Sequence, residues 1–286
     1  MISDITLGQF FPGYSPLHKL DPRTKILLAA ASIVAIFFAN NPISFAIITV
    51  AALSMIIVSR ISLKVILKGI KPLLFILLFT AILNVFMTGG ESAPLVEFWI
   101  IRIYTEGIVR AVFMALRVVL LIVITSMLLT YTTSPISLTD GLESLLSPLK
   151  LIRIPVHTFA MMMSIALRFI PTLVEETEKI MNAQKSRGAD FSSGGLIKRA
   201  KALVPILIPL IVSSFKRAED LATAMECRCY RGDKKRTKLV KLQYKWRDLV
   251  WFFSFAVFVA LVIVSTKLPY SFPSFGIIYD IIFYSI

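Results

Sequence analysis

Apolar positions in this chain come in long unbroken runs rather than in alternation. No charged residue occurs from Ile26 to Ser59, from Pro72 to Gly90, from Val118 to Thr139 or from Leu249 to Thr266. A run of about 18 or more such residues is long enough, as a helix, to cross the hydrocarbon core of a bilayer. Local punctuation cuts the runs into rods. Asp21-Pro22 reads as an N-cap followed by proline at the first helical position, and Asn40-Asn41-Pro42 reads as a tight turn. The pattern predicts five spans: Pro22–Ala39, Pro42–Ser59, Pro72–Thr88, Gly107–Thr130 and Asp248–Thr266. With Asp248 counted as a boundary residue, no Asp or Glu lies inside them, so no proton or cation relay of acidic side chains is expected.

Between the fourth and fifth spans the pattern changes. Leu142, Leu145, Leu146 and Leu149 have helical spacing and predict a short amphipathic helix ending near Pro148. Pro155–Arg187 reads as one long helix kinked at Pro171. Ser192-Ser193-Gly194-Gly195 reads as a loop, and Leu196–Arg228 as a second long helix with Pro205 and Pro209 inside it. Each is apolar in its first half and charged in its second, the profile of a rod that lies in a membrane surface at one end and reaches into water at the other.

Charge then sets direction. The 286 residues include 31 Lys+Arg against 17 Asp+Glu, a net charge of +14. With the N-terminus cytoplasmic, three cations before or at the first span (Lys19, Arg23, Lys25), four between spans two and three (Arg60, Lys64, Lys68, Lys71) and twenty between Asp140 and Arg247 all face one side. The opposite side keeps only Arg102 and Lys267, and Trp99 and Tyr104 are expected as interfacial aromatics there. The positive charge is therefore a membrane-facing feature, and nucleic acid is not an expected partner. The basic stretch Arg231–Arg247 is read mainly as a contact with anionic lipid. The aromatic, proline-broken tail after Lys267 is expected either in the outer interface or as a partial span.

The two long helices echo each other. Ala183-Gln-Lys-Ser186-Arg187-Gly188 and Ala224-Met-Glu-Cys227-Arg228-Cys229 are offset by 41 residues, each placing an Arg at a helix C-terminus. A cation there complements the exposed carbonyls, worth about 0.3–1 kcal/mol. Alternatively a guanidinium offers a planar fork of donors to a partner, and two such tips suit a partner with two equivalent grooves.

These residues resemble a known family: the transmembrane T subunit of energy-coupling factor transporters, the ABC-type importers of vitamins and transition metals. The resemblance runs through Leu20-Asp21-Pro22-Arg23-Thr24-Lys25, Leu146–Leu149 and Ala166-Leu167-Arg168-Phe169-Ile170-Pro171 to the two Ala-Arg-Gly motifs, here Ser186-Arg187-Gly188 and Cys227-Arg228-Cys229. Ser186 and Cys227 stand in place of Ala, and Cys229 in place of Gly; if that glycine supplies a positive φ, Cys229 is strained there. The resemblance implies an all-α polytopic membrane protein with about five transmembrane helices and a long-helix cytoplasmic coupling module. It implies docking of the Arg-bearing tips on two cytoplasmic ATPases, with Ala183, Ala224 and Gly188 allowing close approach. A separate membrane-embedded S component would bind the substrate. No phosphate-binding Gly-x-x-x-x-Gly-Lys-Ser/Thr loop occurs in the chain, so ATP hydrolysis is expected in the partners and no cofactor or metal is expected here.

The expected organisation is residues 1–133 for spans one to four, 134–247 for the coupling helices and 248–286 for the last span and tail. Arg117, about 10 Å deeper than Arg110 on one face of span four, is expected to meet a structural partner such as a helix-end carbonyl. Arg168 and Pro171 are expected to be structural. Met161-Met162-Met163 is either interior packing or a soft surface for the S component. Cys227 and Cys229 alone make a poor metal site. Glu175-Glu176 with Glu178 is expected to be a solvated helix face rather than a transferase's metal site. A self-sufficient channel or secondary transporter is the rival reading.

Overall fold

The structure is a computed structural model and describes residues 10–87, 96–98, 101–189, 191, 195–230, 232 and 242–266. Trp99, the loop residues Ser192 to Gly194, most of the basic run before Leu242 and the tail from Lys267 lie outside the described residues. Among the described residues, nine α-helices follow in order: α1 Pro22–Phe38, α2 Pro42–Ser59, α3 Leu63–Ile70, α4 Leu74–Met87, α5 Thr105–Thr125, α6 Pro135–Leu145, α7 Val156–Ser186, α8 Leu196–Cys227 and α9 Trp246–Thr266. A 3-10 turn at Lys71–Leu73 joins α3 to α4, and a π-helical segment, Ser126–Tyr131, extends α5. The all-α class is borne out. The one sheet among the described residues is an antiparallel pair, β1 Val96–Phe98 and β2 Ile101–Ile103, with Val96 opposite Ile103.

Among the described residues, five helical stretches are long and apolar enough to cross a membrane: Pro42–Ser59, Leu63–Met87, Gly107–Tyr131, Val156–Ser186 and Trp246–Thr266. Four of them overlap the expected spans Pro42–Ser59, Pro72–Thr88, Gly107–Thr130 and Asp248–Thr266, with Thr88 itself outside the described residues. The fifth differs, because α1 has 17 residues, about 25 Å at 1.5 Å per residue, whereas α7 has 31. Charge decides between the two. Beyond Lys25, α1 carries none; the second half of α7 carries Glu175, Glu176, Glu178, Lys179 and Lys185, which hydrocarbon does not hold. We therefore assign α1, α2, the charge-free stretch from Pro72 through α4, α5 and α9 as the spans, with Lys64, Lys68 and Lys71 of α3 and the turn after it outside the hydrocarbon. Large apolar side chains are widely exposed, as along α4, where Phe75, Phe79 and Met87 are more than half open and only Leu77 is buried. Such a surface suits lipid and not water.

The described residues form two compact units, one of residues 10–134 with 242–266 and the other of residues 135–232. In the first, Leu28, Ile36, Phe45, Ile48, Ile124, Leu128 and Val262 make a continuous core. Small buried residues (Ala29, Ser32, Ala35, Ala39, Ser44 and Ala52) let the α1 and α2 backbones approach their neighbours closely. Gly69 serves the same end, since a Cβ there would fall 2.4 Å from the Tyr131 hydroxyl.

Polar ties hold the helix ends of this unit. At the start of α1 the Asp21 side chain accepts from Arg23 N–H at 2.9 Å, the expected N-cap. The Asp21 N–H donates to Asp248 Oδ1 at 2.8 Å, and the Lys245 N–H donates to Asp248 Oδ2 at 2.8 Å. Asp248 is 4% exposed and lies in the first turn of α9. This corrects the expectation of acid-free spans: the carboxylate is present and buried, and both oxygens serve backbone N–H groups. Lys25, read from the sequence as a cytoplasmic topology charge, is 1% exposed; its Nζ donates to the Thr132 carbonyl at 2.7 Å, just beyond the end of the α5 rod. At the far end of α1 the buried Arg117 guanidinium donates to the Ala39 carbonyl and lies 5.4 Å from the Phe45 ring centroid. Asn41 Nδ2 donates to the Ser265 carbonyl at 2.9 Å.

Before α1, the chain from Phe10 to Leu20 is closed by His18. Its Nε2 lies 2.9 Å from the Phe11 carbonyl and so carries the proton, leaving Nδ1 to accept from the Ser15 hydroxyl at 2.6 Å. Burial pushes the His18 imidazole below the usual histidine range; the Phe11 carbonyl opposes this and the Lys25 ammonium adds to it. The unfolded chain therefore takes up the proton first, and the stability from a neutral His18 is complete above about pH 6.5 and declines below it. Amides of residues 11–20 are expected to exchange faster at pH 5.5 than at pH 7.5, after correction for intrinsic rates. His18→Gln is expected to abolish that difference. Asp248→Ala strands one buried and one part-buried N–H donor and is expected to lower stability by about 2 kcal/mol, read as a lower unfolding midpoint in detergent.

Candidate functional site

The second unit is built on two long helices. α7 has 31 residues and α8 has 32, each within two residues of its expected length. Pro171 lies inside α7, and Pro205 and Pro209 lie inside α8. α6 begins at Pro135 and ends at Leu145, and a 3-10 segment, Ser147–Ile152, takes up the Leu-Ser-Pro-Leu stretch; the predicted helix lay a few residues further on. Pro148 explains the stop, since it removes a backbone donor. α6 is joined to the start of α7 by Glu143 and His157, whose Oε1 and Nδ1 are 2.9 Å apart.

α7 and α8 meet at an ion pair between Arg217 and Glu176, 2.9 Å apart. These positions differ by 41, the same offset that relates Arg187 to Arg228. Equivalent residues of the two helices therefore touch at this pair. From it each helix runs eleven residues to its terminal Arg, about 16 Å of rod.

The two ends share one backbone geometry. Arg187 closes α7 with φ −89° and ψ 10°, and Arg228 closes α8 with φ −88° and ψ 13°. After Arg187, Gly188 N–H donates to Lys185 O at 2.9 Å and Ala189 N–H to Gln184 O at 3.0 Å. After Arg228, Cys229 N–H donates to Glu226 O at 2.8 Å and Tyr230 N–H to Met225 O at 3.0 Å. Both are Schellman ends, which need a left-handed residue just past the cap. Gly188 supplies it at φ +86° and Cys229 at φ +54°. The second motif thus keeps its shape without glycine, at a cost of about 1–2 kcal/mol for the Cβ.

The side chains at both ends face outward. Ala183, Ser186, Arg187, Gly188, Ala224, Cys227, Arg228 and Cys229 are all exposed. Ser186 Oγ donates back to the Asn182 carbonyl at 3.1 Å. Among the described residues neither Arg187 nor Arg228 makes a side-chain hydrogen bond or ion pair. Nothing lies within 4 Å of a Cβ built on Gly188, so within this chain the glycine serves φ and not packing. Arg168 and Pro171 are exposed on α7. Met162 and Met163 are 53% and 39% exposed, and Met161 is half-buried. Among the described residues no group of His, Cys, Asp or Glu is placed to hold a metal ion. Sequence reasoning missed the partnership of Glu176 with Arg217; the 41-residue offset already contained it.

Residues 13–239 match the family model described as CbiQ, cobalt transport protein. Several curated relatives carry the name energy-coupling factor transporter transmembrane protein EcfT. The one from Clostridium kluyveri is 53% identical over 265 residues, covering 93% of this chain and 98% of that protein. The one from Acidaminococcus fermentans is 50% identical over 270 residues, covering 94% and 100%. The one from Bacillus subtilis is 46% identical over 261 residues, covering 91% and 98%.

The left-handed residue after each cap generates a paired prediction. Gly188→Ala is expected to destabilise the end of α7 by about 1 kcal/mol, and Cys229→Gly to stabilise the end of α8 by a similar amount. Hydrogen exchange at residues 183–189 and 224–230 reads both, with faster exchange in the first variant and slower in the second.

Proposed function

The chain belongs to the CbiQ cobalt transport protein family, and on that premise we propose that it is the membrane-spanning coupling subunit of an energy-coupling factor importer. It does no covalent chemistry in this reading. Two cytoplasmic ATPases burn the nucleotide, a membrane-embedded S component binds a vitamin or a transition metal, and this subunit carries movement from one to the other. The N-terminus is cytoplasmic, in accord with the placement of Lys and Arg. Residues 1–133 and 248–286 make the membrane part, and residues 134–247 the coupling part.

One observation carries this reading: two exposed guanidinia, with no partner among the described residues, on helix ends of the same backbone geometry. A cation that merely balanced a helix dipole would not call for the same end twice. A Schellman end presents the Arg side chain on a rigid cap, so little conformational freedom is lost when its planar fork docks. Arg187 and Arg228 each enter a groove on one ATPase, flanked by Ser186 and Gly188 at one tip and Cys227 and Cys229 at the other. Ala183 and Ala224, one turn earlier, leave room for the partner's surface. The equal reach from the Glu176–Arg217 pair suits two equivalent motors. Exposed Met162 and Met163 offer the S component a surface that can repack, with Met161 beside them.

Arg187→Glu with Arg228→Glu is expected to abolish ATP-driven uptake while the chain still inserts in the membrane. Loss of a charged interface contact costs about 2–5 kcal/mol at each site, so copurification of the ATPases is expected to fall with it. Normal copurification and uptake in the double variant would remove the docking assignment. A self-sufficient channel or secondary transporter would instead pass substrate through liposomes containing this chain alone, without nucleotide.

A further inference from the structure

The start of α9 lies against the start of α1 and leaves a groove of about 460 Å³ between them. Its floor is Leu27, Leu249 and Phe252, all exposed. Its rim is Tyr244, Lys245 and Trp246, with Trp246 78% exposed. The Arg23 guanidinium stands 5.4 Å from the Tyr244 ring centroid. Its Nε is buried and has no hydrogen-bond partner among the described residues. The acid in the groove wall, Asp248, is already engaged, since both oxygens accept backbone N–H groups. Asp21 likewise caps α1. The other charge in the lining is Lys245, and Arg23 adjoins the rim through the Tyr244 ring.

Three features meet here: an apolar trough, an amphipathic pair of aromatics, and a lining cation, Lys245, with a second, Arg23, against the Tyr244 ring. Tyr and Trp settle at the headgroup level of a bilayer, which puts the trough at acyl-chain depth and the cations at phosphate depth. A phosphodiester oxygen held beside a guanidinium and an ammonium gains charge-assisted contacts. We propose that this groove is a binding site for one anionic glycerophospholipid, with an acyl chain along Leu27, Leu249 and Phe252 and the phosphate between Arg23 and Lys245. The site is local: it takes Lys245 from the basic stretch Arg231–Arg247 and adds Arg23 and the apolar trough, which diffuse attraction does not require. It rests on the membrane placement of α1 and α9 and not on the docking of the arms. Failure of the Arg187/Arg228 experiment leaves it standing, and the reverse also holds.

Trp246 reports on the site directly. The full-length chain with Trp99→Phe and Trp251→Phe, in nanodiscs, is titrated with dibrominated phosphatidylglycerol or dibrominated phosphatidylcholine at equal mole fraction. Quenching of Trp246 is expected to show a preference on the order of ten-fold for phosphatidylglycerol. Lys245→Gln, at an exposed position, is expected to reduce the preference several-fold, and Arg23→Gln with Lys245→Gln to bring it near unity. Equal quenching by the two lipids would overturn the proposal. So would a preference that survives the double substitution, which would mark diffuse attraction. Loss of the preference on adding inorganic phosphate would also overturn it, because the site would then take a free anion and not a lipid.

Discussion

Helix ends in a bilayer present backbone groups that lipid does not satisfy, and the first unit of this protein is arranged around that constraint. Lipid tails are as apolar as leucine, so burial against another helix supplies little of the drive it would supply in water. Specific polar ties fix the arrangement instead. Asp248 binds the N-termini of α1 and α9 into one point. Lys25 links the start of α1 to the carbonyl of Thr132, beyond the α5 rod. Arg117 reaches from within α5 to the last carbonyl of α1, and Asn41 ties the turn after α1 to the end of α9. The first helix is thus pinned at both ends by side chains from its neighbours. Its small residues then set how closely the rods pack.

The second unit is held differently. Arg217 and Glu176 are partly exposed, with side chains 35% and 27% open. Such a pair contributes about 0–1 kcal/mol. It sets which residues of α7 and α8 meet without locking them, unlike a buried carboxylate between two N–H donors. In the proposed coupling role, contacts of this strength would serve a part that transmits movement, since a strong tie would resist each stroke. The first unit thus rests on buried ties, and the second on a screened pair.

The spans were legible because a charge-free run has one main physical use. The two long helices were legible for a related reason: a greasy half and a charged half on one rod leave few alternatives. What sequence reading missed was the fate of single charges. Lys25 and Asp248 sit at the edges of apolar runs, where a charge normally marks the boundary with water, and no local pattern announces that each is the partner of a distant backbone group. Their partners lie 107 and 227 residues away, and pairing over such distances has no periodic signal. The first span also came out one residue shorter than read, because Ala39 caps α1 with extended backbone and offers its carbonyl to Arg117.

The candidate site divides along the same line. The residues of both tips were visible as a repeat, but their shared shape was not, because Cys229 stands where a left-handed backbone favours glycine. The structure answers with φ +54° at Cys229 against +86° at Gly188. The hydrogen bonds from Cys229 and Tyr230 to Glu226 and Met225 repeat those after Arg187. Since one tip lacks the residue that makes this turn easy, the turn does not follow from local preference alone. The hydrogen bonds that satisfy the last carbonyls of α8 offset the strain of a Cβ at positive φ. What the two tips have in common is therefore a backbone conformation that aims an Arg, reached once with glycine and once without it.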